Sequence, residues 1–173
     1  AGSEFRYGIV RLQDVFAPLA GNASGNAPVT ILAQYWTGTA FATNTLDNCT
    51  TFTEKNFVLY SPQGAVTSAN VPTPNGGNGN VSGNGTLVSG VAQVNVKKPS
   101  PAISTPGSVR ICFDLDSSTT QRDPACVAVT KANQAHLQGA WAAGSYDKDP
   151  NATVGFGIYG SQPRNFIFFR ENY

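Results

Sequence analysis

The sequence predicts an all-β, single-domain antiparallel β-sandwich, jelly-roll or Ig-like, with minimal helix. Three observations carry that expectation. Apolar residues recur with a period of two in nearly every segment that has a pattern. Gly and Pro number 18 and 11 and separate these segments at strand-like spacing. No stretch shows the 3.6-residue apolar stripe of a packed helix.

Arg6–Leu12 opens the series of strands, and Leu12–Leu19 has room for one helical turn. In 29–36, Val29, Ile31, Ala33 and Tyr35 share a face, β-branched and aromatic as strands prefer. Weaker strands are expected at 57–60, 85–88, 91–96 and 137–141. The clearest alternation is 108–115, with Val109, Ile111, Phe113 and Leu115 against Arg110, Cys112 and Asp114. Thr130–Gln138 would hold at most one helical turn. In 153–159, Val154, Phe156 and Ile158 alternate with Gly155 and Gly157, which marks close approach or large residues packed above them. Residues 165–170 are apolar on both faces and read as a central strand.

Residues 1–5 read as vector-derived, because Gly2-Ser3-Glu4-Phe5 is the translation of two adjacent cloning sites. Residues 6–173 are then one domain, with a flexible Gly/Asn-rich segment at about 72–90 and a hairpin turned at Asn84-Gly85. That segment lies in a run of 41 residues without a charge, from 56 to 96.

The net charge of +1 and the absence of a basic stripe argue against a nucleic-acid partner. No apolar run reaches the length of a membrane span. The sparse charge and the Thr-, Asn- and Gly-rich composition fit an exported surface protein. Of three cysteines, Cys112 and Cys126 flank a polar segment, and a disulfide between them would stabilise by about 3 kcal/mol on chain-entropy grounds. A Cys49–Cys112 bridge and three reduced thiols are the alternatives.

Enzyme chemistry finds few residues. His136 is the one histidine and no Gly-x-Ser-x-Gly elbow exists, so a serine triad has no frame. Paired carboxylates for glycoside hydrolysis are limited to Asp114 with Asp116 and Asp147 with Asp149. Both pairs match calcium loops only faintly, lacking the Gly and terminal Glu of an EF-hand. No cofactor is expected, calcium being the one weak exception. Sugar binding would use aromatic faces beside hydrogen-bonding side chains. Trp36, at a strand end before Thr37-Gly38-Thr39, and Trp141, Tyr146, Asp147 and Asp149 supply such groups.

Three blocks carry a family resemblance. They are Arg6-Tyr7-Gly8-Ile9-Val10-Arg11-Leu12; Ala33-Gln34-Tyr35-Trp36-Thr37-Gly38 followed by Asn44, Asp47 and Cys49-Thr50; and a C-terminal set. The last runs through Ala132-Asn133, Leu137-Gln138-Gly139-Ala140-Trp141, Tyr146-Asp147-Lys148-Asp149-Pro150, Phe156-Gly157-Ile158-Tyr159 and Phe168-Phe169-Arg170-Glu171. Together they resemble the C-terminal domain of MshQ-type proteins, which accompany the mannose-sensitive haemagglutinin type IV pilus of Gram-negative bacteria. That domain carries no assigned function or catalytic residues. The resemblance implies an extracellular, pilus-associated surface protein with an adhesion or pilus-tip role. Its partners would be a surface glycan or protein receptor, or minor pilins if the module serves assembly instead. A carbohydrate-active enzyme is the third expectation.

Overall fold

Alternating side chains divide the strands into two facing layers. The computed structural model describes residues 8–19, 26–71, 80–139 and 147–157. Its strands are β1 (Gly8–Leu12), β2 (Val15–Ala17), β3 (Ala27–Trp36), β4 (Phe41–Thr43), β5 (Thr51–Phe52), β6 (Phe57–Gly64), β7 (Val81–Ser82), β8 (Gly85–Thr86), β9 (Val91–Val96), β10 (Gly107–Phe113) and β11 (Asn151–Phe156). Helix among the described residues is limited to short 3-10 turns such as Glu54–Asn56 and Ala135–Leu137.

One sheet runs β1-β3-β9-β7, with β4 continuing beside the end of β3. The second runs β2-β11-β10-β6, and β5 pairs with β8 in a two-stranded ribbon. The result is an all-β sandwich. Along β3, Ala27, Val29, Ile31 and Ala33 point inward and are buried. Along β10 and beyond, Val109, Ile111, Phe113 and Leu115 face them with no exposure. Val10, Leu12, Val94, Val96, Leu59, Val154 and Phe156 complete one continuous core. Phe57 stacks on Phe113 at 4.6 Å and meets Phe52 edge-on at 6.2 Å, closing one end of it.

Several local expectations are corrected. Leu12–Leu19 holds no helical turn: Val15–Ala17 is a strand, paired in parallel with β11, so the second sheet is mixed rather than purely antiparallel. Asn84-Gly85 turns no hairpin. The strands beside it have different partners, β7 joining β9 and β8 joining β5. Asn84 instead accepts a hydrogen bond from the Glu54 N–H at 2.8 Å, which ties the crossover to the first 3-10 turn. Residues 137–139 are not a strand. Leu137 ends a 3-10 turn and Gly139 forms an isolated bridge with Lys148. The expected strand at 165–170, residues 1–5, and 72–79 of the Gly/Asn-rich segment lie outside the described residues.

The glycine expectation in β11 has a physical reason. Gly157 has φ of +69°, and a Cβ there would fall 2.2 Å from Leu19 Cγ. Leu19 therefore packs directly over the backbone where the strand ends.

The loop after β4 is held by one carboxylate. Asp47 Oδ1 accepts the N–H groups of Cys49 at 3.0 Å and Thr50 at 2.9 Å, and Oδ2 accepts the Thr50 hydroxyl at 2.6 Å. Burial pushes the Asp47 carboxyl up, but these bonds together outweigh it and hold the group below its ordinary 3.8. Its contribution to stability is therefore present above pH 3.8 and is lost as pH falls through the lower folded-state value. Asp47→Asn should lower the denaturation midpoint at pH 6, and the difference from wild type should shrink as pH falls below 3.8. Urea titrations at pH 6 and at a series of pH values below 3.8 check this, and a deficit that stays constant throughout would contradict it.

Candidate functional site

The most unusual chemistry lies where β10 and β11 meet their loops. Their antiparallel register pairs Cys112 with Asn151. It continues one step past the strand, because the Phe113 N–H donates to the Pro150 carbonyl at 3.0 Å. A further step brings Asp114 opposite Asp149. Asp116 follows on the same side as Asp114, since Leu115 between them turns into the core. Asp114, Asp116 and Asp149 thus meet, with one oxygen of each within 4.8 Å of the others. Their exposures are 0%, 0% and 1%.

Neutral donors surround them. Asp114 Oδ1 accepts from the Asp116 N–H at 3.1 Å, and its Oδ2 from the Ala128 N–H at 2.9 Å. Asp116 Oδ2 accepts from Gln121 Nε2 at 2.8 Å and from the N–H groups of Arg122 and Asp123 at 2.7 and 3.3 Å. Gln138 Nε2 bridges Asp116 Oδ1 at 2.9 Å and Asp149 Oδ1 at 2.8 Å. Asp149 Oδ1 also takes the Leu115 N–H at 3.0 Å. Asp149 Oδ2 is buried and has no hydrogen-bond partner. Among the described residues, no Lys, Arg or His forms an ion pair with these carboxylates. Lys131 acts on Asp114 through space, while its ammonium donates to the Thr120 carbonyl at 3.1 Å.

Unpaired buried charge is costly, and Asp149 and Asp114 titrate accordingly. Burial, with only partial relief from Gln138 and Leu115 and a further push from Asp116 and Asp114, raises Asp149 to about 7. Asp114 is also raised, first by burial and then by Asp116, against the pull of its two backbone donors and Lys131. The knot holds together a loop with almost no regular structure, residues 114–138. Cys112 and Cys126 are disulfide-bonded with Cα atoms 6.0 Å apart, and they pack with Val58 beneath the same loop. Cys49 is free and exposed.

The site residues expected from sequence are distributed. Trp36 is 44% exposed and meets Phe41 edge-on at 5.2 Å, across the turn closed by Thr37 and Ala40. Asp149 is fully buried in the knot, so it presents no oxygen to a surface sugar. Asp147 is half-buried and pairs with Lys148 at 3.6 Å. Trp141 and Tyr146 lie outside the described residues. The aromatic pair and the knot share one end of the sandwich. Tyr35 opposes Gly8 in register, and β1 contacts the 3-10 turn that carries Gln138. Leu46, Val88 and Val91 are also exposed, on segments tied beside β4 by the Gly90 N–H bond to Asp47 and by the Asn44 N–H bond to Ala33.

Two surface depressions accompany these features. One, of 310 Å³, is polar and lined by Arg11, Asp14, Arg110, Asn151 and Thr153. In it Arg110 donates to Asn151 and lies over the Tyr60 ring. The other, of 410 Å³, is apolar and lies between the outer face of β6 and Val127 and Val129, which are 52% and 60% exposed. Composition and spacing missed the knot, because its three aspartates belong to two acidic pairs 33 residues apart. The readable signal was the β10–β11 register, which needs the pairing of those strands to be known.

One family model, described as DUF6701, fourth domain, matches residues 6–172. No curated protein and no solved structure matches the chain.

Asp116→Ala would strip an acceptor from four buried or half-buried donors. Stability should fall by about 3 kcal/mol or more, at about 1 to 3 kcal/mol per stranded buried group. Equilibrium urea unfolding measures it, and a loss under about 0.5 kcal/mol, the size of an ordinary surface change, would contradict the structural role.

Proposed function

The chain belongs to the DUF6701 fourth-domain family, and from that premise we propose a non-catalytic extracellular module of a type IV pilus-associated surface protein, serving adhesion. The pilus setting draws support from the three sequence blocks that resemble MshQ-type C-terminal domains. The adhesive role rests on one observation: Trp36 and Phe41 form an edge-on pair, each more than a third exposed, at the tip of the sandwich. A tryptophan held by a strand end and a tight turn is a rigid, amphipathic surface of the kind that binding sites use. Leu46, Val88 and Val91, exposed on adjoining segments, extend the apolar character of that end. Exposed apolar groups gathered at one end of a domain are a feature of partner-binding surfaces.

The non-catalytic reading draws support from the acidic knot. A glycosidase needs two carboxylates flanking a substrate cleft, about 5 to 9.5 Å apart. Asp114, Asp116 and Asp149 are buried to 1% exposure or less and flank no open cleft. A second reading, a structural module docking onto minor pilins, is favoured by the apolar depression against β6 with Val127 and Val129 at its rim.

A glycan array and pull-downs with purified minor pilins separate the two. Adhesion predicts saturable binding to a defined sugar that Trp36→Ala reduces at least about tenfold, the loss of about 1.4 kcal/mol. Thermal stability should change little, because Trp36 is nearly half exposed. A blank array together with minor-pilin capture that Val127→Ser and Val129→Ser abolish would overturn adhesion in favour of docking. Failure of both assays would overturn both readings.

A further inference from the structure

We propose that Asp114, Asp116 and Asp149 form a binding site for one calcium ion, which pins the 114–138 loop to the mouth of β10 and β11. The site is defined by geometry and does not depend on the adhesive reading.

Three observations converge. First, one oxygen from each carboxylate lies within 4.8 Å of the others. Oxygens around calcium sit about 2.3 to 2.6 Å from the ion, so two on opposite sides are about 4.6 to 5.2 Å apart. The three aspartates can therefore share one coordination sphere without moving the backbone. Second, Asp149 is 1% exposed and its Oδ2 has no hydrogen-bond partner. The other oxygen of the same carboxylate accepts from the Leu115 N–H and from Gln138 Nε2. A buried anionic oxygen with no donor is the kind of group a cation satisfies. Third, no basic side chain among the described residues pairs with the three acids. Their close packing at near-zero exposure favours a counter-charge, which a divalent ion at the point where all three meet would supply.

The donor set selects the ion. Every candidate ligand is an oxygen, which suits a hard cation. Cys112 and Cys126 are spent in a disulfide, and His136 is exposed on the neighbouring turn, so soft or nitrogen-rich coordination has no ligands here. Calcium fits better than magnesium, which keeps several waters and demands near-octahedral order. Asp114 keeps lone pairs for the ion as well, since a carboxylate has about four acceptor positions and its two backbone donors take one on each oxygen.

The test uses the 173-residue chain, stripped with chelator and titrated with calcium chloride by calorimetry. One equivalent should bind, half-saturating between roughly 0.1 and 1 mM, the range of extracellular calcium modules. At a concentration about 100-fold above that midpoint the melting temperature should rise by several degrees. Magnesium at the same concentration should give a smaller rise. Asp149→Asn and Asp116→Asn should each abolish the rise, while Asp47→Asn, whose carboxylate serves a different loop, retains it. If both knot variants fail to fold, the wild-type stoichiometry decides. No saturable heat and an unmoved melting temperature with either metal would overturn the proposal. So would a folded Asp149→Asn chain that binds calcium as the wild type does.

Discussion

The buried meeting of Asp114, Asp116 and Asp149 is the constraint on which one end of this sandwich depends. Strands β10 and β11 are ordinary in themselves, with alternating apolar residues locked into a two-layer core. Beyond Phe113 the chain is no longer ordinary. It runs from 114 to 138 with one short 3-10 turn and no strand among its described residues. Such a loop has no ladder to satisfy its backbone groups, so side chains must do it. Asp114 and Asp116 accept six hydrogen bonds from backbone and side-chain donors of the loop itself, and Gln138 and the Leu115 N–H join it to Asp149 before the return strand.

That arrangement has an electrostatic consequence. Carboxylates are good acceptors because they are charged, and charge is what burial penalises. The molecule places three of them together with only neutral donors around them. Desolvation holds Asp149 near neutrality, up to about 7, and raises Asp114 as well. A site that neutral donors fill only partly, with one oxygen bare, is poised to take up a positive charge. The loop would then be tightest where that charge is present, and the neighbouring surface of Trp36 and Phe41 would stand on a firmer base.

Much of the fold is legible in the residues alone. Val29, Ile31 and Ala33 on one face of β3, and Val109, Ile111, Phe113 and Leu115 along β10, are buried as two-residue alternation requires. The disulfide joins the two cysteines that flank a polar segment. Less legible is anything set by partner choice. Val15–Ala17 is a strand because β11 offers it an edge, a fact absent from its own three residues. Asn84-Gly85 has the composition of a hairpin turn, but its flanking strands find separate partners. The knot belongs to the same class. Asp114 with Asp116 and Asp147 with Asp149 look like two ordinary turn pairs, and register alone carries three of the four into one place. Asp147 remains at the surface with Lys148.

The central claim is that the knot makes the 114–138 loop and the strand ends one cooperative unit. Native-state hydrogen exchange tests it most directly, at the amides of Leu115, Arg122, Asp123 and Ala128, all donors to the three aspartates. These four should exchange together, with protection approaching that of Ile111 in the core strand. Exchange of the four at rates typical of exposed loops, while Ile111 stays protected, would contradict it.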